Sequence, residues 1–172
     1  FLRVFAGAGS RTLPSMLASL PGLSQALLQA PMAGVQDHRL AAAVCEAGAL
    51  GSVPCAMLDP ATLRTQLGAL RELTDRPYNV NFFCHTPPVP DAAREAAWRQ
   101  ALGPYYAQHG IDPAGIAAGA GRAPFSEAFA EVLAEFRPAV VSFHFGLPSP
   151  SLLARVRAWG AVVLSSATTL DE

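Results

Sequence analysis

The chain has 172 residues, a formal net charge of −1, 51% hydrophobic residues and 15% charged residues. A chain of that size buries roughly 70% of its unfolded surface without a metal or disulfide staple, and its apolar share excludes an intrinsically disordered polypeptide. All twelve cationic side chains are arginines spread along the chain, which argues against an extended nucleic-acid surface.

Residues 1–22 contain Arg3, Arg11, Pro14 and Pro21 and lack the unbroken apolar core of about 7–15 residues that a signal peptide requires. They read as a surface or poorly ordered N-terminal extension. From residue 26 onward, short apolar runs alternate with stretches of helical periodicity. Leu27-Leu28-Gln29-Ala30 forms the first run, closed by Pro31. Asp37 is placed to cap a helix through Ala47, with Gly48 as its stop. Residues 49–53 form the second run. Asp59-Pro60 opens the next helix, with Leu63, Leu67, Leu70 and Leu73 on one face. Residues 78–83 form the third run.

Residues 85–124 are too long for a strand-to-helix loop. They read as an insertion over one face, with a helix over 91–108 and a mobile Gly/Ala-rich segment near 110–124. A helix resumes at Ser126, presents Phe129, Val132, Leu133 and Phe136 on one stripe, and stops at Pro138. Residues 139–143 form the fourth run. Ser149-Pro150 then caps a helix that buries Leu152, Leu153, Val156 and Trp159 and ends at Gly160. Residues 161–165 form the fifth run.

Repeated βα units predict an α/β fold with a parallel sheet covered by helices. An open sheet with helices on both faces competes with a (β/α)8 barrel. A dinucleotide-binding sheet would carry GxGxxG after its first strand. Here Ala30-Pro31-Met32-Ala33-Gly34 follows instead, and the glycines from Gly115 to Gly121 follow no strand.

In either architecture, chemistry gathers at the carboxyl ends of the strands. The small-residue turn after the first run allows close approach of backbone to a flat ligand, or is simply a tight turn. Period two puts Asn79 and Asn81 on one face of the third strand, Val80 and Phe82 on the other. The two amides need partners, either a ligand at the strand mouth or a structural network. Ser142 and His144 share one face of the fourth strand. His144, at its end, is a side chain able to take or give a proton. Ser165, Ser166, Thr168 and Thr169 end the fifth strand, and can meet a cofactor edge or cap the next helix.

Several other chemistries find no support. No histidine spacing suits a metal site, no carboxylate pair sits at a strand mouth, and no GxSxG elbow exists. The three cysteines, Cys45, Cys55 and Cys84, are odd in number and form no CxxC pair. A reducing cytoplasm fits them, with Cys45 read as a small buried hydrophobe. No apolar run approaches the ~18 residues that would span a membrane. Uncharged amides, hydroxyls and one histidine suit a cofactor that carries the redox chemistry itself.

Four segments together resemble the nitronate monooxygenase family, formerly 2-nitropropane dioxygenase. They are Gln29-Ala30-Pro31-Met32-Ala33-Gly34 with the 40–44 and 47–52 stretches, Pro77-Tyr78-Asn79-Val80-Asn81-Phe82-Phe83, Val140-Val141-Ser142-Phe143-His144-Phe145-Gly146-Leu147-Pro148, and Ser165-Ser166-Ala167-Thr168-Thr169. The third resembles the bacterial branch with histidine at that strand end. The resemblance implies a TIM (β/α)8 barrel that binds FMN non-covalently and oxidises alkyl nitronates or nitroalkanes with O2, giving a carbonyl compound and nitrite. By that similarity, Ala30, Pro31, Met32, Ala33, Asn81 and Ser165 contact the flavin, while His144 and Gly146 meet the substrate. His144 would act as base on a neutral nitroalkane or hold an anionic nitronate. Family members also carry a later Gly-Gly-His segment and phosphate-binding glycine loops, which this sequence lacks.

Only about five of the eight βα units of a barrel are countable. The expectation is therefore that residues 23–172 form the N-terminal portion of an incomplete barrel, inactive alone. Two alternatives stand beside nitronate oxidation: an NAD(P)H-dependent quinone or enoyl reductase of related barrel flavoproteins, and a non-catalytic fragment. Small-molecule nitronate and O2 are the expected partners, with no nucleic acid, membrane or metal; the oligomeric state is not set by the sequence.

Overall fold

In the computed structural model, which describes residues 2–5, 22–116 and 121–169, helices begin where the sequence supplies caps. Asp37 accepts from the Arg39 amide at 2.9 Å ahead of α1 (His38–Glu46). Asp59 accepts from the Thr62 amide at 2.7 Å ahead of α2 (Pro60–Leu73). Each carboxylate satisfies an orphan donor of the first turn.

The chain divides into two compact units, Phe1–His85 with Arg122–Glu172, and Thr86–Gly121. In the smaller unit, Asp91 caps α3 (Ala92–Ala101), and α4 (Gly103–Gln108) follows. The single helix expected over 91–108 is thus broken at Leu102, because Pro104 has no amide to continue the ladder and starts a new first turn instead. Neither helix contains a buried residue. A 3-10 turn spans Pro113–Gly115. Residues 117–120 of the segment expected to be mobile lie outside the described residues.

The larger unit contains α5 (Glu127–Phe136), which ends on Arg137 in the left-handed region (φ 47°), and α6 (Pro150–Arg157) behind Ser149. The hydroxyl of Ser126, expected to start α5, makes no cap bond. Its sheet has five strands in the order β1-β5-β4-β3-β2: β1 (Leu2–Phe5), β2 (Gly51–Pro54), β3 (Tyr78–Phe83), β4 (Val140–His144) and β5 (Val162–Ser166). Strands β2 to β5 run parallel and pair in sequence order. Strand β1 pairs antiparallel with β5, with Leu2 opposite Ser166. The sequence gives no sign of it: four residues are too few to show a period. The rest of the expected N-terminal extension, apart from Gly22, lies outside the described residues.

One face of the sheet is covered by helices. Val53, Val80, Phe82, Val141, Phe143 and Val163 share a core with Leu63, Leu67 and Leu70 of α2, Phe129 and Leu133 of α5, and Val156 of α6. Fully burying each large side chain contributes about 1.5–3 kcal/mol. Leu73, expected on the buried stripe, is 52% exposed and is the last residue of α2. Helix α1 lies close on β2 because Gly51 has no side chain: a Cβ there would sit 2.1 Å from the Ala41 carbonyl oxygen and 2.8 Å from Cys45 Sγ. Sequential strand order with helices α1, α2, α5 and α6 joined in one core is a singly wound arrangement. A doubly wound sheet would reverse its strand order and bury both faces under helices.

The first expected strand, over 27–30, is reduced to a single parallel bridge between Leu28 and Leu50. Two side-chain amides explain the truncation. Gln29 Oε1 accepts from the Ser52 amide at 3.0 Å, and Gln36 Nε2 donates to the Ser52 carbonyl at 2.6 Å. The edge groups of β2 that a longer ladder would use are already paired. Among the described residues, no helix is long and apolar enough to cross a membrane.

Candidate active site

The second face of the sheet is polar. Register sets Asn79 opposite Val140, Asn81 opposite Ser142, and Phe83 opposite His144. Alternation therefore aims Asn79, Asn81, Phe83, Ser142 and His144 away from the helices. At the base of this face, Leu50, Val140 and Leu164 form a small apolar plug. Above it, Ser142 Oγ accepts from Asn79 Nδ2 at 3.0 Å and from Asn81 Nδ2 at 2.9 Å. Asn79 Nδ2 also donates to Ser52 Oγ at 3.1 Å, and that hydroxyl donates to the Gln29 carbonyl at 2.7 Å.

Asn79, Ser52 and Ser142 are buried, so each bond offsets a desolvation cost of about 1–3 kcal/mol. The structural network, one of the two readings weighed from the sequence, is therefore present. The Asn79 side is largely structural, yet its Oδ1 is buried without a partner. Asn81 is only partly buried and lies nearer the strand end.

At the mouth, His144 is exposed. Its Nδ1 lies 2.5 Å from Ser166 Oγ. Phe145 follows with φ +64° and Gly146 with φ +96°. A bulky residue in the left-handed region costs on the order of 1–3 kcal/mol and persists only when its surroundings hold it there. This turn brings the Phe145 ring to 3.9 Å from the His144 ring, centroid to centroid. Phe83 packs edge-on to Phe145 at 5.0 Å and tilted to His144 at 5.7 Å. His85 borders the same group, 6.3 Å from Phe145, with its Nδ1 buried and unpartnered.

Of the residues singled out from the sequence, Asn81, His144 and Gly146 gather at the carboxyl ends of β3 and β4. Ala30, Pro31, Met32 and Ala33 form the turn beyond the Leu28–Leu50 bridge, with Val35 N bonded to Met32 O at 3.3 Å and Met32 43% exposed. Ser165 sits elsewhere. It is opposite Phe143, on the helix-covered face, and is buried. Ser166 is the hydroxyl that reaches His144. Counting in twos from Leu164, the apolar plug residue, would have found it. Phe83 and Phe145 were missed because aromatics near a strand end look like ordinary core.

Among the described residues no Asp or Glu belongs to the polar face, whose hydrogen-bonding side chains are amides, hydroxyls and the His144 imidazole. The cysteines offer no nucleophile there. Burial pushes the Cys84 thiol up to about 12 and the Cys55 thiol higher still, so both stay protonated and weakly reactive.

The sequence matches the nitronate monooxygenase family model over residues 15–172. The chain belongs to the nitronate monooxygenase family. It is 41% identical over 165 residues to a nitronate monooxygenase of Paraburkholderia phytofirmans, covering 91% of this chain and 43% of that protein. It is 42% identical over 155 residues to one of Pseudomonas aeruginosa, covering 89% and 44%. A solved nitroalkane oxidase from Streptomyces ansochromogenes superimposes with a TM-score of 0.71 at 36% identity, over 92% of this chain and 44% of that one. The chain therefore spans less than half the length of the nitronate monooxygenases it matches.

Proposed function

We propose that the complete protein is an FMN-dependent enzyme that oxidises alkyl nitronates or nitroalkanes with O2 to a carbonyl compound and nitrite, and that this chain forms the N-terminal portion of its (β/α)8 barrel. One observation carries the reading: a histidine, held by hydroxyl and aromatic neighbours, stands at an uncharged hydrogen-bonding strand mouth. Family membership and the singly wound strand order support it.

The donor set fits a flavin. A flat heterocycle with several acceptors and donors suits amides, hydroxyls and a small-residue turn better than it suits charges. The buried, unpartnered Asn79 Oδ1 is a spare acceptor on the same face. Ala30, Pro31, Met32, Ala33 and Asn81 would hold the ring system, while Ser165, turned toward the helices, would act only through its backbone. The phosphate falls to residues outside this chain. When bound, the flavin supplies electron transfer and the reaction with O2.

The chain's own chemistry centres on His144. As neutral imidazole it would take the α-proton of a nitroalkane; as imidazolium it would hold an anionic nitronate. Gly146, where beyond its chain neighbours an added Cβ would meet nothing within 4 Å, would leave room for the substrate. Residues 85–124 would be an insertion in the barrel sequence, a reading supported by the separate compact unit Thr86–Gly121. The purified full-length protein should be yellow and release nitrite from a nitronate with matched O2 uptake. Protein that folds without flavin, or consumes nitronate without O2, would sink the proposal.

A further inference from the structure

We propose that Ser166 is a positioning residue that fixes the tautomer of His144, accepting Nδ1–H so that the Nε2 lone pair faces the strand mouth. The inference rests on the reading of His144 given above but adds a residue and a protonation state to it. Three observations carry it. The ring is exposed, and an exposed histidine with no partners samples several rotamers and both tautomers. Here Nδ1 is 2.5 Å from Ser166 Oγ, a short contact for this pair of atoms. Phe145 and Phe83 clamp the ring plane, Phe145 from a left-handed backbone that bulky residues avoid.

The direction of the bond follows from what the mouth requires. A hydroxyl can donate to Nδ1 or accept from it. If Ser166 donated, Nε2 would carry the hydrogen, and the exposed nitrogen could not take a proton. If Ser166 accepts, Nε2 is bare. A proton leaving the α-carbon of a nitroalkane then goes to Nε2, its electron pair stays on the nitronate, and Ser166 Oγ still accepts Nδ1–H from the imidazolium. The same bond therefore serves both protonation states without rearrangement. Ser166 sits at the end of β5 and its hydroxyl on the polar face, whereas Ser165 one residue earlier faces the helices. The ladder thus delivers this hydroxyl by period alone.

The test uses full-length protein labelled with nitrogen-15 at histidine, comparing wild type, Ser166→Ala and Ser166→Thr. His144→Gln identifies the resonances. Wild type should show neutral His144 with hydrogen on Nδ1, Ser166→Ala should lose that preference, and Ser166→Thr, which keeps the hydroxyl, should restore it. Turnover of a neutral nitroalkane relative to its preformed nitronate should fall about tenfold in Ser166→Ala and recover in Ser166→Thr. Hydrogen on Nε2 in wild type, an Ala variant with the wild-type tautomer, or an unchanged ratio would overturn the assignment. Wild-type protein without nitronate turnover would overturn the proposed function instead, while the nitrogen spectra would still decide the role of Ser166.

Discussion

Strands β3 and β4 carry two chemistries on alternate residues. Val80, Phe82, Val141 and Phe143 enter a core shared with the helices. Asn79, Asn81, Ser142 and His144 face the other way; directed hydrogen bonds join the two asparagines to Ser142 and His144 to Ser166. The first set gains from area removed from water, which is non-directional and tolerates exchange of one apolar side chain for another of similar volume. The second set gains only when each donor meets its acceptor. One face therefore holds the sheet together, and the other can be specialised without unfolding it. The polar face is also graded. Its base is plugged by Leu50, Val140 and Leu164, its middle is a buried amide–hydroxyl network, and its mouth is an exposed imidazole.

The contrast can be tested one face at a time. The largest effect should come at the mouth. His144→Ala should lower turnover of a neutral nitroalkane by ~10²–10⁴, because it removes the group proposed to take the proton. The unfolding midpoint should scarcely move, since the ring is exposed. A preformed nitronate, which needs no deprotonation, should lose less. If the variant loses stability instead of rate, the division between the faces is wrong. On the helix-covered side, Phe82→Ala should cost about 3–5 kcal/mol in urea unfolding of the full-length protein. Phe82 is 1% exposed and packs on Phe125 and Phe129 at 4.8 and 5.3 Å. Retention of wild-type stability would show that the core collapses around the gap.

How much of this was legible in the sequence depends on whether a feature is local. Caps at Asp37 and Asp59 and the span of β3 follow from short-range rules, and the structure places them as expected. The facing of Asn79, Asn81, Ser142 and His144 follows from period two. What escaped depends on partners far along the chain. The first strand shrank to one bridge because Gln29 and Gln36 satisfy Ser52, 23 and 16 residues away. The resemblance points to Ser165, but β5 spans Val162–Ser166, one residue later than the expected 161–165, and in a strand one residue changes the face, so Ser165 turns to the helices and Ser166 to the polar face. The left-handed backbone of Phe145 has no signal in residue type at all.

The smallest expected effect lies between the two faces' extremes, at Ser142. Its hydroxyl accepts from both asparagines, so Ser142→Ala leaves each amide one acceptor short. Asn79 keeps Ser52 Oγ at 3.1 Å, and Asn81 keeps only the Ser142 carbonyl at 3.4 Å. A buried group left short of a partner costs about 1–3 kcal/mol. The retained bonds place Ser142→Ala toward the lower end. The useful reading is the split between stability and flavin affinity. If the network serves only the fold, unfolding shifts and the flavin dissociation constant does not. If it also aims Asn81 at the cofactor, that constant should rise by about tenfold, equivalent to roughly 1.4 kcal/mol. The second outcome is expected, because Asn81 loses its shorter bond and is the amide nearer the mouth. An unchanged flavin affinity would confine the network to the fold and leave cofactor contact to the 30–33 turn.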